Sequence, residues 1–178
     1  MQQPLYGLIG GKLGHSYSKI IHEKIADYTY ELLPLPTEAE ARTFMEKRAF
    51  AAINVTIPYK QFVIPYCDVV DPKAQAIGAV NTIVNRDGKL YGYNTDYAGF
   101  AYLAKAHGVD FADKTVLILG TGGASKAVYR GLANLGIESV FVSRTKKESS
   151  YLTYDKLTPE IMHCLLYTSP SPRDGLLS

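Results

Sequence analysis

The stretch LILGTGGASKAV, residues 117–128, constrains this chain more than any other. An apolar run stops at Gly120, passes through Gly122 and Gly123, and becomes a small-residue helical pattern. Gly120, Gly122 and Ser125 fit a G-x-G-x-x-S spacing directly after a predicted strand and at the opening of a predicted helix. In that context the spacing indicates a phosphate cradle. Gly120 permits the tight turn, Gly122 lets the backbone approach a pyrophosphate, and free N–H groups at the helix start attract the anion. Ser125 departs from the usual Gly or Ala but is small enough for close helix packing. No G-K-[ST] follows, which excludes a P-loop. The plainer alternative is a glycine-rich turn with no ligand.

The next strand, SVFVSRT (139–145), is more informative at its end. An NAD site usually places Asp or Glu there, where it binds the ribose 2′-hydroxyl. This chain has Ser143-Arg144-Thr145-Lys146-Lys147 instead. A carboxylate repels a 2′-phosphate, whereas these cations attract it. One charge-assisted contact contributes roughly 1.5–3 kcal/mol, or about ten- to hundredfold in affinity. The turn therefore predicts NADP over NAD, the alternative being a solvated basic turn.

Upstream, strand and helix patterns alternate. YGLIG (6–10), YELLPL (30–35) and AAINV (51–55) read as strands, and IIHEKIADY (20–28) and TEAEARTFMEKR (37–48) as helices. Thr37 and Glu40 form a capping box. A further helical turn is expected to start at Pro58. The alternation implies βαβ units and a mostly parallel sheet. In AVNTIVNRDGKLYGYNTD (79–96), Asp87-Gly88 predicts a type I′ hairpin that pairs Arg86 with Lys89 and Asn81 with Asn94. Continued to Asp96, that register sets Asp96 diagonal to Asn81 on one sheet face, about 7–8 Å away. YAGFAYLAKAHG (97–108) reads as a helix ending at Gly108.

Composition narrows the class. Nineteen basic and seventeen acidic residues give a net charge of +2, too balanced for a nucleic-acid partner. Two cysteines, Cys67 and Cys164, form no C-x-x-C, which argues against a disulfide framework and fits a cytoplasmic address. No signal-peptide pattern or long apolar run is present, so no membrane partner is expected. His15, His22, His107 and His163 have no ligand spacing, so no metal is expected, and GHSYS fails the nucleophile-elbow pattern at Ser18.

Three polar clusters remain: HSYS (15–18), NVTIPYK (54–60), and GAVNT with YNTD (78–82 and 93–96). Singly they read as helix caps and strand ends. Together they set hydroxyls, amides, one Lys and one Asp at strand ends, where open α/β sheets bind ligands. LIGGKLGHSYSKIIH, INVTIPYK, GAVNTIV, GYNTD and ILGTGGAS, in this order, closely resemble the shikimate dehydrogenase family over residues 5 to about 163. The resemblance implies an α/β substrate domain (1–110) and the first part of a Rossmann-like NADP-binding domain (111–163). It also implies reversible NADP-linked reduction of 3-dehydroshikimate to shikimate. Ser16 and Ser18 would bind the substrate carboxylate, Thr56, Asn81 and Asp96 the ring hydroxyls, and Lys60 with Asp96 would form the catalytic pair. Gly120, Thr121, Gly122, Gly123, Ala124 and Ser125, with Ser143, Arg144 and Thr145, would hold NADP. The chemistry suits these types, because hydride transfer from a secondary alcohol needs a proton acceptor at its oxygen and the reverse needs a donor.

Lys19 stands where the family usually has Pro, a change expected to touch only the helix start. Ser143 replaces the family's usual Asn, which weakens one expected contact to the adenosine phosphate. Residues 164–178, CLLYTSPSPRDGLLS, match nothing in the family and read as a disordered or foreign tail. The family's later cofactor strands, a Gln, a Tyr and a C-terminal helix have no counterpart here. The chain therefore reads as truncated, and is expected to be poorly stable and nearly inactive by itself. A quinate/shikimate dehydrogenase and a non-catalytic NADP- or shikimate-binding fragment remain the alternatives. Nothing in the sequence sets the oligomeric state.

Overall fold

The computed structural model describes residues 4–111, 114–121, 123–134, 136–145, 152–159 and 161. The chain divides into two units, Met1–Thr95 and Asp96–Ser178. In the first, β1 (Tyr6–Gly10), α1 (Ser18–Ile25), β2 (Tyr30–Pro34), α2 (Glu38–Lys47) and β3 (Ala52–Val55) follow one another. Then come β4 (Val69–Val70), α3 (Pro72–Ile77), β5 (Thr82–Arg86) and β6 (Lys89–Tyr93). The sheet order is β2-β1-β3-β5-β6-β4. β1 runs parallel to β2 and β3, and β4 parallel to β6, while β5 is antiparallel to both of its neighbours. The sheet is thus mostly parallel with one reversed strand. A two-residue turn can join only antiparallel strands, so the Asp87-Gly88 turn dictates that reversal.

Strand alternation divides the apolar residues between the two faces of the sheet. Ile9, Ile53, Val55, Ile83 and Leu90 share one buried cluster with Ala41 and Met45 of α2 and Ala74 of α3. Leu8, Leu13 and Tyr30 form the other, joined by Tyr6, Tyr28 and Leu32. α2 starts at the expected capping box: Glu40 N–H donates to Thr37 Oγ1 at 3.3 Å, and Thr37 N–H to Glu40 Oε2 at 2.9 Å.

α1 is held differently, since it has no fully buried residue and no side-chain cap at Tyr17. Lys19 Nζ donates to the Tyr30 carbonyl at 2.9 Å and pairs with Glu23 at 3.3 Å. Glu23 Oε1 in turn accepts from Tyr30 N–H at 3.1 Å. Lys19 therefore does more than alter the helix start: it ties α1 to β2.

One local expectation is corrected. The helical turn expected at Pro58 is present as a short one that does not grow into an α-helix: Tyr59 N–H donates to Thr56 O at 2.9 Å and Val63 N–H to Tyr59 O at 3.1 Å. The Ile57–Pro58 bond is cis, and the chain continues through turns to a short 3-10 segment at Ile64–Tyr66. The hairpin forms as expected, with Arg86 opposite Lys89 and positive φ at Asp87 (53°) and Gly88 (84°). Asp96, however, does not continue the sheet face. β6 stops at Tyr93 and Asp96 is the first residue of a helix, so the expected sheet diagonal to Asn81 does not exist.

The second unit has α4 (Asp96–Ala106), β7 (Val116–Leu119), α5 (Gly123–Asn134), β8 (Ser139–Ser143) and β9 (Leu152–Thr153). Its sheet runs β7-β8-β9, all parallel. Val116, Ile118, Leu132 and Phe141 form its core, with Phe100 of α4 packed against them. That packing places α4 with the second unit, whereas the sequence reading set the boundary after it. Gly122, Lys146, Lys147 and the 164–178 tail lie outside the described residues.

Candidate functional site

The topology of the first unit gathers its polar motifs at one end of the sheet. β1, β3 and β6 finish at the edge where the antiparallel β5 begins. The segments there are the loop carrying Ser16 and Ser18, the turn from Thr56 to Lys60, Asn81, and Asn94–Thr95. This is the end at which open α/β sheets bind ligands.

Backbone bonds lock these segments together. Thr56 N–H donates to Ile9 O at 2.9 Å, and Gly11 N–H to Ile57 O at 3.0 Å. A Cβ on Gly10 would lie 2.5 Å from Thr56 Cγ2 and 2.8 Å from Leu13 Cδ2, so only glycine lets the two loops approach this closely. Lys60, half-buried, accepts from Val80 N–H at 2.8 Å through its carbonyl, which anchors its turn beside Asn81. Ser16 Oγ accepts from Ser18 N–H at 3.2 Å and so supports the start of α1.

Asn81 is 8% exposed and its carboxamide is pinned. Oδ1 accepts from Thr95 N–H at 3.0 Å and from Thr82 Oγ1 at 3.0 Å, while Nδ2 donates to Thr95 Oγ1 at 3.0 Å. A main-chain N–H can only donate, so the Thr95 contact alone decides which end of the amide is oxygen. Asn94, 7% exposed, donates from Nδ2 to Ala79 O at 2.9 Å and holds the strand end in place. The bonds continue away from the site: Asn54 Nδ2 donates to Thr82 Oγ1 at 3.1 Å, and Tyr30 OH to Asn54 Oδ1 at 2.6 Å. Burial pushes the Tyr30 phenol well above its ordinary value, with a smaller contribution from neighbouring Tyr28, so it stays a donor. Asp96 follows Thr95 directly as the first residue of α4.

In the second unit, the glycine turn joins β7 to α5 as expected. Gly120 has φ 98°, a conformation for glycine, and its N–H donates to Val142 O at 2.8 Å. α5 then opens at Gly123 through Ala124 and Ser125, with Thr121 preceding it in the turn. Ser143 ends β8 and is 8% exposed, whereas Arg144 and Thr145 are exposed just past the strand. The backbone turn, the helix start and the exposed guanidinium suit a phosphorylated dinucleotide. Among the described residues no His/Cys/Asp/Glu group could hold a metal, and no helix is long and apolar enough to cross a membrane.

The sequence reading missed Tyr30, Asn54, Thr82 and Thr95. Three of them sit inside the quoted motifs, so their position was visible but their partners were not. Tyr30 gave no signal beyond opening a strand.

Comparison with known proteins identifies what the chain is similar to. Residues 8–83 match the family described as the shikimate dehydrogenase substrate binding domain. An NADP(+) shikimate dehydrogenase of Clostridium beijerinckii is 38% identical over 181 residues, which cover 93% of this chain and 67% of that protein. Shikimate dehydrogenase 1 from Peptoclostridium difficile superposes with a TM-score of 0.77 at 35% identity, covering 85% of this chain and 61% of that one. The Thermus thermophilus enzyme, solved in complex with NADP(H) and shikimate, gives 0.72 at 36% identity, covering 80% and 57%. The chain thus spans 57–67% of the length of these three relatives.

Proposed function

The chain belongs to the shikimate dehydrogenase family, and we propose that it carries the substrate-binding and cofactor-binding parts of an NADP-dependent enzyme interconverting 3-dehydroshikimate and shikimate. The observation that carries this reading is the pinned Asn81 carboxamide at the sheet end, set by Thr95 and Thr82 before any ligand arrives. A hydroxylated ring needs donors and acceptors held in advance, because each one ordered on binding costs affinity.

In this reading Ser16 and Ser18 take the substrate carboxylate at the start of α1. Thr56, Asn81 and Asp96 take the ring hydroxyls. Lys60 and Asp96 exchange the proton at the reacting oxygen: Lys60 receives it as the alcohol is oxidised and returns it in the reverse direction. Gly120 to Ser125 would hold the NADP pyrophosphate, and Ser143, Arg144 and Thr145 the adenosine phosphate. When bound, NADP supplies the hydride acceptor. A cytoplasmic address fits a chain with two cysteines and no C-x-x-C.

The test is an absorbance assay for NADPH formed from shikimate, run beside calorimetric titrations of shikimate and NADPH. Slow shikimate-dependent NADPH formation, in keeping with a chain that spans 57–67% of its relatives' length, weaker with NAD and absent with quinate, is the expected result. Equal turnover of quinate would move the reading to a quinate/shikimate dehydrogenase. Binding of both ligands without turnover makes the chain a binding fragment, and binding of neither overturns the proposal.

A further inference from the structure

Tyr30 is a buried polar residue tied to two other elements of the first unit. Its ring is 2% exposed and stacks on His22 of α1 at 4.1 Å and 12°. Its N–H donates to Glu23, its carbonyl accepts from Lys19, and both partners lie on α1. Its hydroxyl faces the other way and donates to Asn54 on β3.

From that hydroxyl the bonds run in one direction. Thr82 has a single hydroxyl proton. When it donates to Asn81 Oδ1, it must accept from Asn54, which turns Asn54 Nδ2 toward Thr82 and Oδ1 toward Tyr30. The order Tyr30 → Asn54 → Thr82 → Asn81 is therefore self-consistent, with a phenol donating at one end and a carboxamide oxygen accepting at the other. Hydrogen-bond chains of this kind polarise and stiffen their members.

We propose that Tyr30 is a positioning residue that sets the Asn81 carboxamide, through Asn54 and Thr82, in register with the α1 start that carries Ser16 and Ser18. That these groups bind shikimate rests on the function proposed above. The positioning itself does not. Tyr30 touches no substrate in this scheme. It acts by joining the two halves of the substrate side: the helix through its main chain and ring, and the amide through its hydroxyl.

The experiment compares Tyr30→Phe, Thr82→Val and Thr82→Ser in the full chain. The side-chain amide NMR signals of Asn81, assigned by their loss in Asn81→Asp, are followed together with shikimate affinity by calorimetry. Tyr30→Phe keeps the ring, the stack and both main-chain partners, so it carries the test even where Thr82→Val does not fold. The expected result is a shifted Asn81 amide pair and about three- to tenfold weaker shikimate binding in Tyr30→Phe and Thr82→Val, the loss of roughly one hydrogen bond. Thr82→Ser, which restores the hydroxyl, should return both readouts to the parent values. An Asn81 pair that stays in place in folded Tyr30→Phe overturns the proposal. So does a shifted pair with unchanged shikimate affinity, or a Thr82→Ser variant that behaves like Thr82→Val. A parent chain that binds no shikimate, while the Asn81 pair still shifts in the variants, counts against the proposed function and supports the positioning.

Discussion

On the function proposed above, the two units prepare for their ligands by opposite means. In the first, the proposed recognition groups are side chains, and side chains hold them: Asn81 by Thr95 and Thr82, and Thr82 by Asn54. In the second, the proposed recognition group is the main chain itself, shaped by the φ of 98° at Gly120 and the bond from Gly120 to Val142. A ring with several hydroxyls must be matched at several points, which takes directional side chains. A pyrophosphate is a diffuse anion that a row of backbone N–H groups satisfies. The first site should therefore be damaged by removing polar atoms, and the second by adding carbon or reversing charge.

The largest effect expected from removing a polar group is at Lys60. Lys60→Ala should lower turnover of shikimate by about 10²–10⁴, the usual range for a general acid/base. A turnover number equal to the parent's would remove Lys60 from the chemistry, whatever happened to affinity. Reversing charge at the other site comes next. Arg144→Glu should weaken NADPH binding by about ten- to hundredfold in a fluorescence titration, leaving shikimate affinity intact. A fall in shikimate affinity there would break the separation between the units.

Gly10→Val marks the limit of the comparison, because carbon added beside the first site displaces one of its polar groups. Its Cβ would meet Thr56 Cγ2 at 2.5 Å, and overpacking of this kind costs roughly 1–3 kcal/mol. Thermal unfolding should show a lower Tm, and shikimate affinity should fall with it, since Thr56 must move. Thr37→Ala is the control at a residue outside both motif sets. Loss of the capping box should cost about 1 kcal/mol of stability with both ligand affinities unchanged.

The smallest effect is in the pH dependence of stability. Asp68 accepts from Leu90 N–H at 2.7 Å and pairs with Arg48 at 2.7 Å, and these contacts, the Leu90 bond first, hold its carboxyl below the ordinary 3.8. A depressed carboxyl stabilises the fold above its unfolded value and loses that contribution as pH falls through the folded one. Asp68→Asn removes that contribution, so its Tm should lie slightly below the parent's at neutral pH, and the gap should close as pH falls below about 4, flattening the acid limb of the Tm–pH curve.

Much of the local structure was legible because it depends on neighbours in sequence. The Thr37–Glu40 box, the Asp87-Gly88 turn with its register, and the strand–glycine–helix passage at 116–134 all follow from contacts a few residues long. Asp96 shows where such reasoning stops. Extending the hairpin register assumed that the strand continued, but β6 ends at Tyr93 and a helix begins. Lys19 shows the same limit, since its partner, the Tyr30 carbonyl, lies across the α1–β2 packing.

By itself the sequence determined the α/β pattern, the family and the residue types that could serve as site groups. Each of these is written in spacing, and spacing survives without coordinates. Only the tertiary structure decided which polar groups hold one another. The bonds from Tyr30 through Asn54 and Thr82 to Asn81 join residues on β2, β3 and the opening of β5, far apart in the chain. Hydrogen bonds are short and directional, so no pattern along the chain can state which distant donor meets which acceptor until the sheet order brings them face to face.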